Sequence, residues 1–343
     1  MNDRFSCSST NQDHYLSIPL LVIIGLLFLS IMYFSNVSAF SPQSKEYVFV
    51  KKWGSEGTGD GQFQRAHDLD FDPTEEYLYS IDRDGNRVQV FDKNGTFIKK
   101  WGSEGTEDGQ FNNPYSVDAD SQGNVWVTDR GNHRIQKFDK DGNFLLKFGS
   151  FGSGEGEFDD PRQVAVDKDI EFLYVADSNN NRIQKFDSDG NFIKSWGSEG
   201  TGNGEFDWPV SVIIDSKGDI IVNERGNHRV QKFDSDGNFL MKFGSEGHGD
   251  GQFFIIEHMA TDKFDNIYVN DPQGEEEQRE RGEGGIPRVQ KFDTNGTFIT
   301  KWGSYGTGDG QFIDPEHLAI DSEGFVYVSD RGRNDIQVFK PVN

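Results

Sequence analysis

Cysteine is nearly missing from this 343-residue chain: Cys7 is the single one, so no disulfide framework can exist. Basic residues are few, with 34 Lys and Arg against 58 Asp and Glu, a formal net charge of −24. One Arg and two Asp fall within residues 1–39, which leaves −23 for the remainder. A surface that acidic repels phosphate backbones and excludes nucleic acid as a ligand for the domain as a whole. It suits solubility, cation binding or a saline exterior, and charge alone does not separate these. Helical stripes are absent after the N-terminus, and so are long apolar runs. The one exception is Ile18 to Phe34, 17 residues without a charge.

What the chain has in abundance is repetition. A Trp/Phe-Gly-Ser tripeptide begins at Trp53, Trp101, Phe148, Trp196, Phe243 and Trp302, at spacings of 48, 47, 48, 47 and 59. One unit therefore carries an insertion of about 12 residues. Each unit reads as a Gly-rich stretch followed by four short β segments, as in Trp101 to Phe111 and then Pro114 to Asp120, Asn124 to Asp129, Arg134 to Asp139 and Asn143 to Phe148. The fold class is all-β: a six-bladed β-propeller of four-stranded blades around a central channel. The repeats run approximately 47–95, 96–142, 143–190, 191–237, 238–296 and 297–343, inside a domain spanning 40–343.

Turn chemistry agrees. Lys93-Asn94-Gly95, Lys140-Asp141-Gly142, Ser188-Asp189-Gly190, Ser235-Asp236-Gly237 and Thr294-Asn295-Gly296 separate the third and fourth segments, and Asn-Gly or Asp-Gly predicts tight type I′ hairpins. The last unit stops at Ile336-Gln-Val-Phe339, its third strand, while Tyr47 to Trp53 aligns with Gly95 to Trp101. The N-terminal strand is therefore expected to close the ring as the outer strand of the sixth blade, which removes an exposed edge.

The pattern Phe-x-x-Pro, apolar strand, Asp, Gly-Asn, Tyr-Val-x-Asp, Asn-x-Arg-Ile/Val-Gln-x-Phe resembles the NHL repeat, in six copies over roughly residues 47–340. The resemblance implies the fold and leaves activity open. NHL and related six-bladed propellers include peptide-amidating lyases, sugar-lactone hydrolases, single-strand RNA binders and protein-interaction platforms. From this comes the leading expectation, a ligand- or protein-binding platform acting through one propeller face. The alternative is a channel-centred, metal-dependent lyase or hydrolase similar to the amidating lyases or sugar lactonases.

Residues 1–39 read as a signal peptide or a membrane anchor. The apolar core, 18–34, precedes Val37-Ser38-Ala39, which has small-residue spacing suited to signal peptidase. At about 1.5 Å per residue it is marginal for a hydrocarbon core of about 30 Å, yet long for a signal core. Cleaved peptide and retained hydrophobic helix both stay open, and the Val37-Ser38-Ala39 site points to an extracytoplasmic ring, secreted or membrane-anchored. Flanking charge does not settle topology, because Arg4 is offset by Asp3 and Asp13 while Lys45, Lys51 and Lys52 follow.

Candidate site residues cluster where the loops joining strands 2 and 3 share a face with the loops entering strand 1. The acid ending strand 2 and the Arg opening strand 3 recur in five blades, as Asp82 and Arg87 or Asp129 and Arg134 do, which predicts a structural ion pair. Blade six has Asp335 in the Arg position, so Asp330 must find another partner. Arg83, Arg130, Arg225 and Arg331 each follow the strand-2 acid directly. They form either a cationic collar for a carboxylate, sulfate or phosphate group, or a set of local ion pairs. The Glu/Arg-rich insertion from Gly274 to Gly285 reads as a flap over this face or as a plain loop.

Opening the inner strands are His67-Asp68, Tyr115-Ser116, Arg162-Gln163, Val210-Ser211, Glu257-His258 and Glu316-His317. His67, His258 and His317 lie in adjoining blades of a closed ring and could hold zinc or calcium in the channel, as the amidating-lyase resemblance implies. Strand alternation argues the other way, because His258 and His317 sit one position later than His67. Asp68, Glu257, Glu316 and Arg162 complete the ligand-binding candidates, either for an anionic ligand or as hydrogen-bond partners of the histidines. The expected partners are a protein or small anionic ligand, plus the membrane if residues 18–34 are retained.

Overall fold

The computed structural model describes residues 46–167, 172–272 and 286–342. Among them, 24 strands form six antiparallel four-stranded sheets, a six-bladed all-β propeller. The expected N-terminal helix over 18–34 lies outside the described residues, as does nearly all of the inserted segment. No described helix is long and apolar enough to cross a membrane.

The ring closes as the offset repeats require. Glu46–Trp53 pairs antiparallel with Asp335–Val342, and the sixth sheet contains one strand from the N-terminal end and three from the other. Tyr47 stacks on Trp302 with ring centroids 4.2 Å apart, and its hydroxyl lies 2.7 Å from that of Tyr268. Elsewhere a hairpin glycine occupies this place: at Gly95 a Cβ would overlap the Trp53 ring. The seam between blades six and one also repeats an ordinary blade contact. Ala66 N–H donates to Asn334 Oδ1 at 3.3 Å, as Asn113 N–H does to Asn86 and Trp208 N–H to Asn181, both at 2.8 Å.

Each apolar cluster lies between two blades rather than inside one. Phe63, Leu69 and Phe91 of blade one pack with Tyr327, Ile336 and Val338 of blade six, and Tyr79, Ile81 and Val88 pack with Val117, Val125 and Phe138 of blade two. A single sheet buries its faces only against its neighbours, so the blades stabilise one another around the ring. Phe63, Phe111, Phe158, Phe206, Phe253 and Phe312 are fully buried, one per long loop.

The Arg-x-Gln motif pins those long loops. In blade two, Arg134 donates to Asp129 at 2.7 Å and to the carbonyls of Thr106, Glu107 and Gln110. Gln136 donates to Gln110 O and accepts from Gly109 N–H. The acid–arginine pair recurs at 2.6–2.9 Å as Asp82 with Arg87, Asp177 with Arg182, Glu224 with Arg229 and Asp271 with Arg288. In blade six Arg333 does the same work from two residues earlier. It pairs with Asp335 at 2.9 Å and donates to the carbonyls of Gly308 and Gln311. Asp330 instead accepts backbone N–H groups from Ile313, Asp314 and Gly332, and burial raises its carboxyl to about 6.

One turn expectation is overturned. Type I′ needs positive φ at both central residues, yet among the turn residues only the glycines, such as Gly95 at φ 87°, are left-handed. The loop is a three-residue hairpin closed by Gly95 N–H to Asp92 O, and the register shifts beside it at Val90/Phe91. The Asp92 carboxylate decides this, accepting from the N–H of Asn94 and of Thr96 at 2.8 Å and stabilising the right-handed turn.

Candidate functional site

Each inner strand with a full-length ladder has a register shift at its start, between Ala66 and Leu69, Pro114 and Val117, Pro161 and Val164, Pro209 and Val212, or Pro315 and Leu318. A bulge suspends the alternation of faces. Both residues after the first strand position can therefore reach the channel, and the separation expected for His67 and His317 does not occur. Their rings lie 4.5 Å apart, and His258 stacks on His317 at 4.1 Å.

The histidines are buried and their partners are specific. His67 Nδ1 lies 2.9 Å from Tyr115 O, and its Nε2 is 3.6 Å from Glu316 Oε2, too far for a hydrogen bond. His317 Nδ1 approaches Asp68 Oδ1 at 2.6 Å but is out of line for a hydrogen bond. His258 accepts from Leu318 N–H at Nδ1, and its Nε2 is 2.8 Å from Gln163 Nε2. Burial first, then neighbouring positive charge, pushes His67 and His258 well below 6.5 and His317 down to about 3. Burial also raises Asp68 to about 6 and, against the pull of Arg331, Glu316 to about 7. Neutral imidazoles do not form ion pairs with these carboxyls.

The three imidazoles do not share one point. Their ligand atoms fall into two sets joined at His317, namely His67 with Glu316 and His317, and Asp68 with His258 and His317. Within each set the atoms lie within 4.8 Å of one another. Among the described residues, His67 Nε2, His317 Nδ1 and Gln163 Oε1 are buried without a hydrogen-bond partner, an uncommon cost in a folded interior.

Around the same channel end the arginines converge on two aromatic rings. The guanidinium carbons of Arg83, Arg130 and Arg162 lie 5.2, 5.6 and 5.2 Å from the Tyr115 ring, and those of Arg162 and Arg225 lie 4.8 and 5.2 Å from the Trp208 ring. Each distance is within cation–π reach. Local pairing occurs as well: Arg130 and Arg162 with Asp160, Arg225 with Glu257 at 3.0 Å, Arg331 with Asp314 and, at 2.7 Å, Glu316. The two readings of the collar are thus compatible. Burial alone would raise Glu257, but Arg225, Arg162 and Arg331 outweigh it and hold the carboxyl low.

Sequence reasoning named Arg83, Arg130, Arg162, Arg225, Arg331, Asp68, Glu257, Glu316 and the three histidines, and the ring brings all of them to this channel end. It passed over Tyr115, whose hydroxyl accepts from Arg162 at 3.1 Å, and Trp208. Trp208 has φ 56°, a left-handed conformation that a bulky residue seldom adopts, and it is 37% exposed. Asn113 and Asp160 hold the equivalent slot before a proline with φ 57° and 59°. A Trp where the repeat places Asn or Asp was the available signal.

The family model for the NHL repeat matches residues 111–138, 158–186 and 206–233, in the second, third and fourth of the six structural units. This chain is an NHL-repeat propeller. Short segments are similar to the E3 ubiquitin-protein ligase TRIM71, 50% identical over 40 residues in Mus musculus and 44% over 43 residues in Rattus norvegicus. Those matches cover 12% of the chain and 5% of the length of the relatives. Among solved structures, a Bacteroides thetaiotaomicron protein of unknown function aligns with TM-score 0.63 at 19% identity, over 86% of this chain and 76% of that one. A streptogramin B lyase aligns with TM-score 0.57 at 12% identity over 88% and 99%. An inactive virginiamycin B lyase from Staphylococcus aureus with quinupristin aligns with TM-score 0.56 at 13% over 85% of each chain. Likeness at these identities extends to the NHL propeller's fold and no further.

Proposed function

We propose that this NHL propeller is a binding protein that takes an anionic group, on a small molecule or a partner protein, at the channel mouth on its strand 2–3 loop face. The observation that carries the reading is four guanidiniums, those of Arg83, Arg130, Arg162 and Arg225, gathered over Tyr115 and Trp208 on a chain of net charge −24. Arg331 joins them through Glu316. A ring that repels anions everywhere else concentrates them at this one place. Export through residues 1–39, by a cleaved signal peptide or by a membrane anchor at 18–34, is part of the proposal. Titrating the full chain with benzoate, sulfate and phosphate tests it: saturable binding lost in Arg162→Gln is expected. Unchanged binding in Arg162→Gln and Arg331→Gln would refute the mouth as the site.

A second reading is favoured by the unpartnered His67 Nε2 and His317 Nδ1. The mixed imidazole and carboxylate donors of either set suit zinc, whereas calcium asks for six to eight oxygens. Zinc held by His317 with His67 and Glu316, or with Asp68 and His258, would supply Lewis-acid chemistry for a lyase or hydrolase. Metal analysis of the full chain decides it. Equal, near-zero zinc in wild type and His317→Ala, the variant that removes the donor common to both sets, eliminates the metalloenzyme.

A further inference from the structure

Of the four arginines that directly follow a second strand, three meet a carboxylate. Arg130 pairs with Asp160, the residue before the next blade's inner strand, and Arg225 pairs with Glu257 of the next blade. Arg331, whose next blade offers Arg65 in that slot, turns back to Asp314 and Glu316 of its own. At Arg83 the pattern fails. Its Nε donates to the amide of Asn113, which stands where Asp160 stands one blade on and has nearly the same backbone conformation. Among the described residues the terminal nitrogens of Arg83 have no hydrogen-bond acceptor, and no carboxylate lies within ion-pair distance of it. Burial together with Arg65 and Arg130 brings its guanidinium down to about 10, as expected for a cation among cations. The ring of charge is one carboxylate short, at this position.

We propose that Arg83, flanked by Arg65 and Arg130 and lying beside the ring of Tyr115, is the anion subsite of the mouth, and that it takes a single carboxylate group on a small molecule. This rests on the mouth-binding function proposed above and assigns its ligand class. The repeat itself indicates what fits. Arg130 and Arg331 each have their Nε satisfied by one Asp carboxylate from the pre-strand slot. Asn113 keeps the Nε contact and removes the charge, so the complement still required is planar and singly negative. A guanidinium offers such a group two parallel N–H bonds through its free terminal nitrogens. Sulfate or phosphate adds tetrahedral bulk and a second charge beside Glu316, whose field already acts on Arg83. The Tyr115 ring, 5.2 Å from the guanidinium carbon, favours a flat ligand at the same depth.

The test is calorimetric titration of the full chain at low chloride with benzoate, acetate, sulfate and phosphate. Benzoate and acetate are expected to bind at one site, with sulfate and phosphate at least about tenfold weaker. Arg83→Gln is expected to weaken benzoate at least about tenfold. Asn113→Asp is the sharper variant: it restores the acid of the repeat, so it should abolish benzoate binding while raising the melting temperature of the unliganded protein. Wild-type benzoate affinity in Asn113→Asp, or sulfate binding as tightly as benzoate, overturns the assignment. If Arg162→Gln loses benzoate while both Arg83→Gln and Asn113→Asp keep it, the subsite is wrong and the mouth stands. If the wild-type chain takes up none of the four anions, or no substitution at the mouth alters uptake, the mouth itself is wrong.

Discussion

Arg134 and Arg130 sit four residues apart in one loop, yet they belong to different parts of the molecule. Arg134 is buried against Asp129 and three backbone carbonyls, and its counterparts Arg87, Arg182, Arg229 and Arg288 repeat that arrangement almost unchanged. Arg130 faces the channel mouth against Asp160 and Tyr115, and its counterparts differ blade by blade: Arg83 on an amide, Ser178 in blade three, Arg225 on Glu257, Arg331 on two acids of its own blade. The first position holds a loop onto its blade in five blades, and in the sixth Arg333 performs the same task from two residues earlier. The second faces a space shared by all six blades, so nothing requires it to repeat.

Breaking the repeated belt should have the largest effect. Arg134→Met leaves Asp129, fully buried, without its counter-charge and should cost about 3–5 kcal/mol of unfolding free energy in urea denaturation. An equal loss from Arg130→Met, whose side chain is 21% exposed, would erase the distinction between belt and mouth.

The channel histidines give a smaller, pH-dependent effect. His258 is held well below 6.5, so its contribution to stability is complete above the unfolded value and is lost as pH falls. His258→Gln removes that liability. From pH 6.5 to 5 its stability should rise relative to wild type by up to about 1.4 kcal/mol per pH unit. Asp68, raised to about 6 by burial against the pull of His258, carries the opposite sign and shifts with the substitution, so the comparison is repeated in an Asp68→Asn background, where the difference reports the imidazole. Parallel curves would show that folding leaves the His258 proton affinity unchanged.

The smallest effect is expected where blade six has moved its arginine. Exchanging the charges by Arg333→Asn with Asp335→Arg recreates the loop of blade two and should leave the melting temperature nearly unchanged, within about 1 kcal/mol. Arg333→Asn alone, which strands Asp335, should be clearly less stable than the double variant. If the double variant is the worse of the two, the displaced arginine is not equivalent to the belt.

Much of this was legible beforehand. Period, strand count, ring closure and the acid–arginine belt all come from residues repeated at fixed spacing, and the offset of Tyr47 against Gly95 foretold which strand closes the sixth blade. The hairpin type was misjudged because the Asx interaction of Asp92 outweighs the preference of Asn-Gly. The mouth was half legible. Its arginines stood out as a position recurring after the strand-2 acid and its histidines as a departure from the repeat, but the bulges that bring His67 beside His317 leave no mark in residue spacing. Tyr115, Trp208 and Asn113 carry meaning only against side chains of other blades.

By itself, then, the sequence determined the blades, because strand alternation, turn chemistry and the loop-pinning Arg-x-Gln motif act within about one repeat. Only the tertiary structure decided which arginine meets which acid, which imidazoles touch, and that Arg83 meets none of the acids among the described residues. Those outcomes depend on neighbours across blade boundaries and across the closing seam, such as Asn334 against Ala66. Coulomb and hydrogen-bond forces depend on distance in space, and the ring sets those distances only once it is closed.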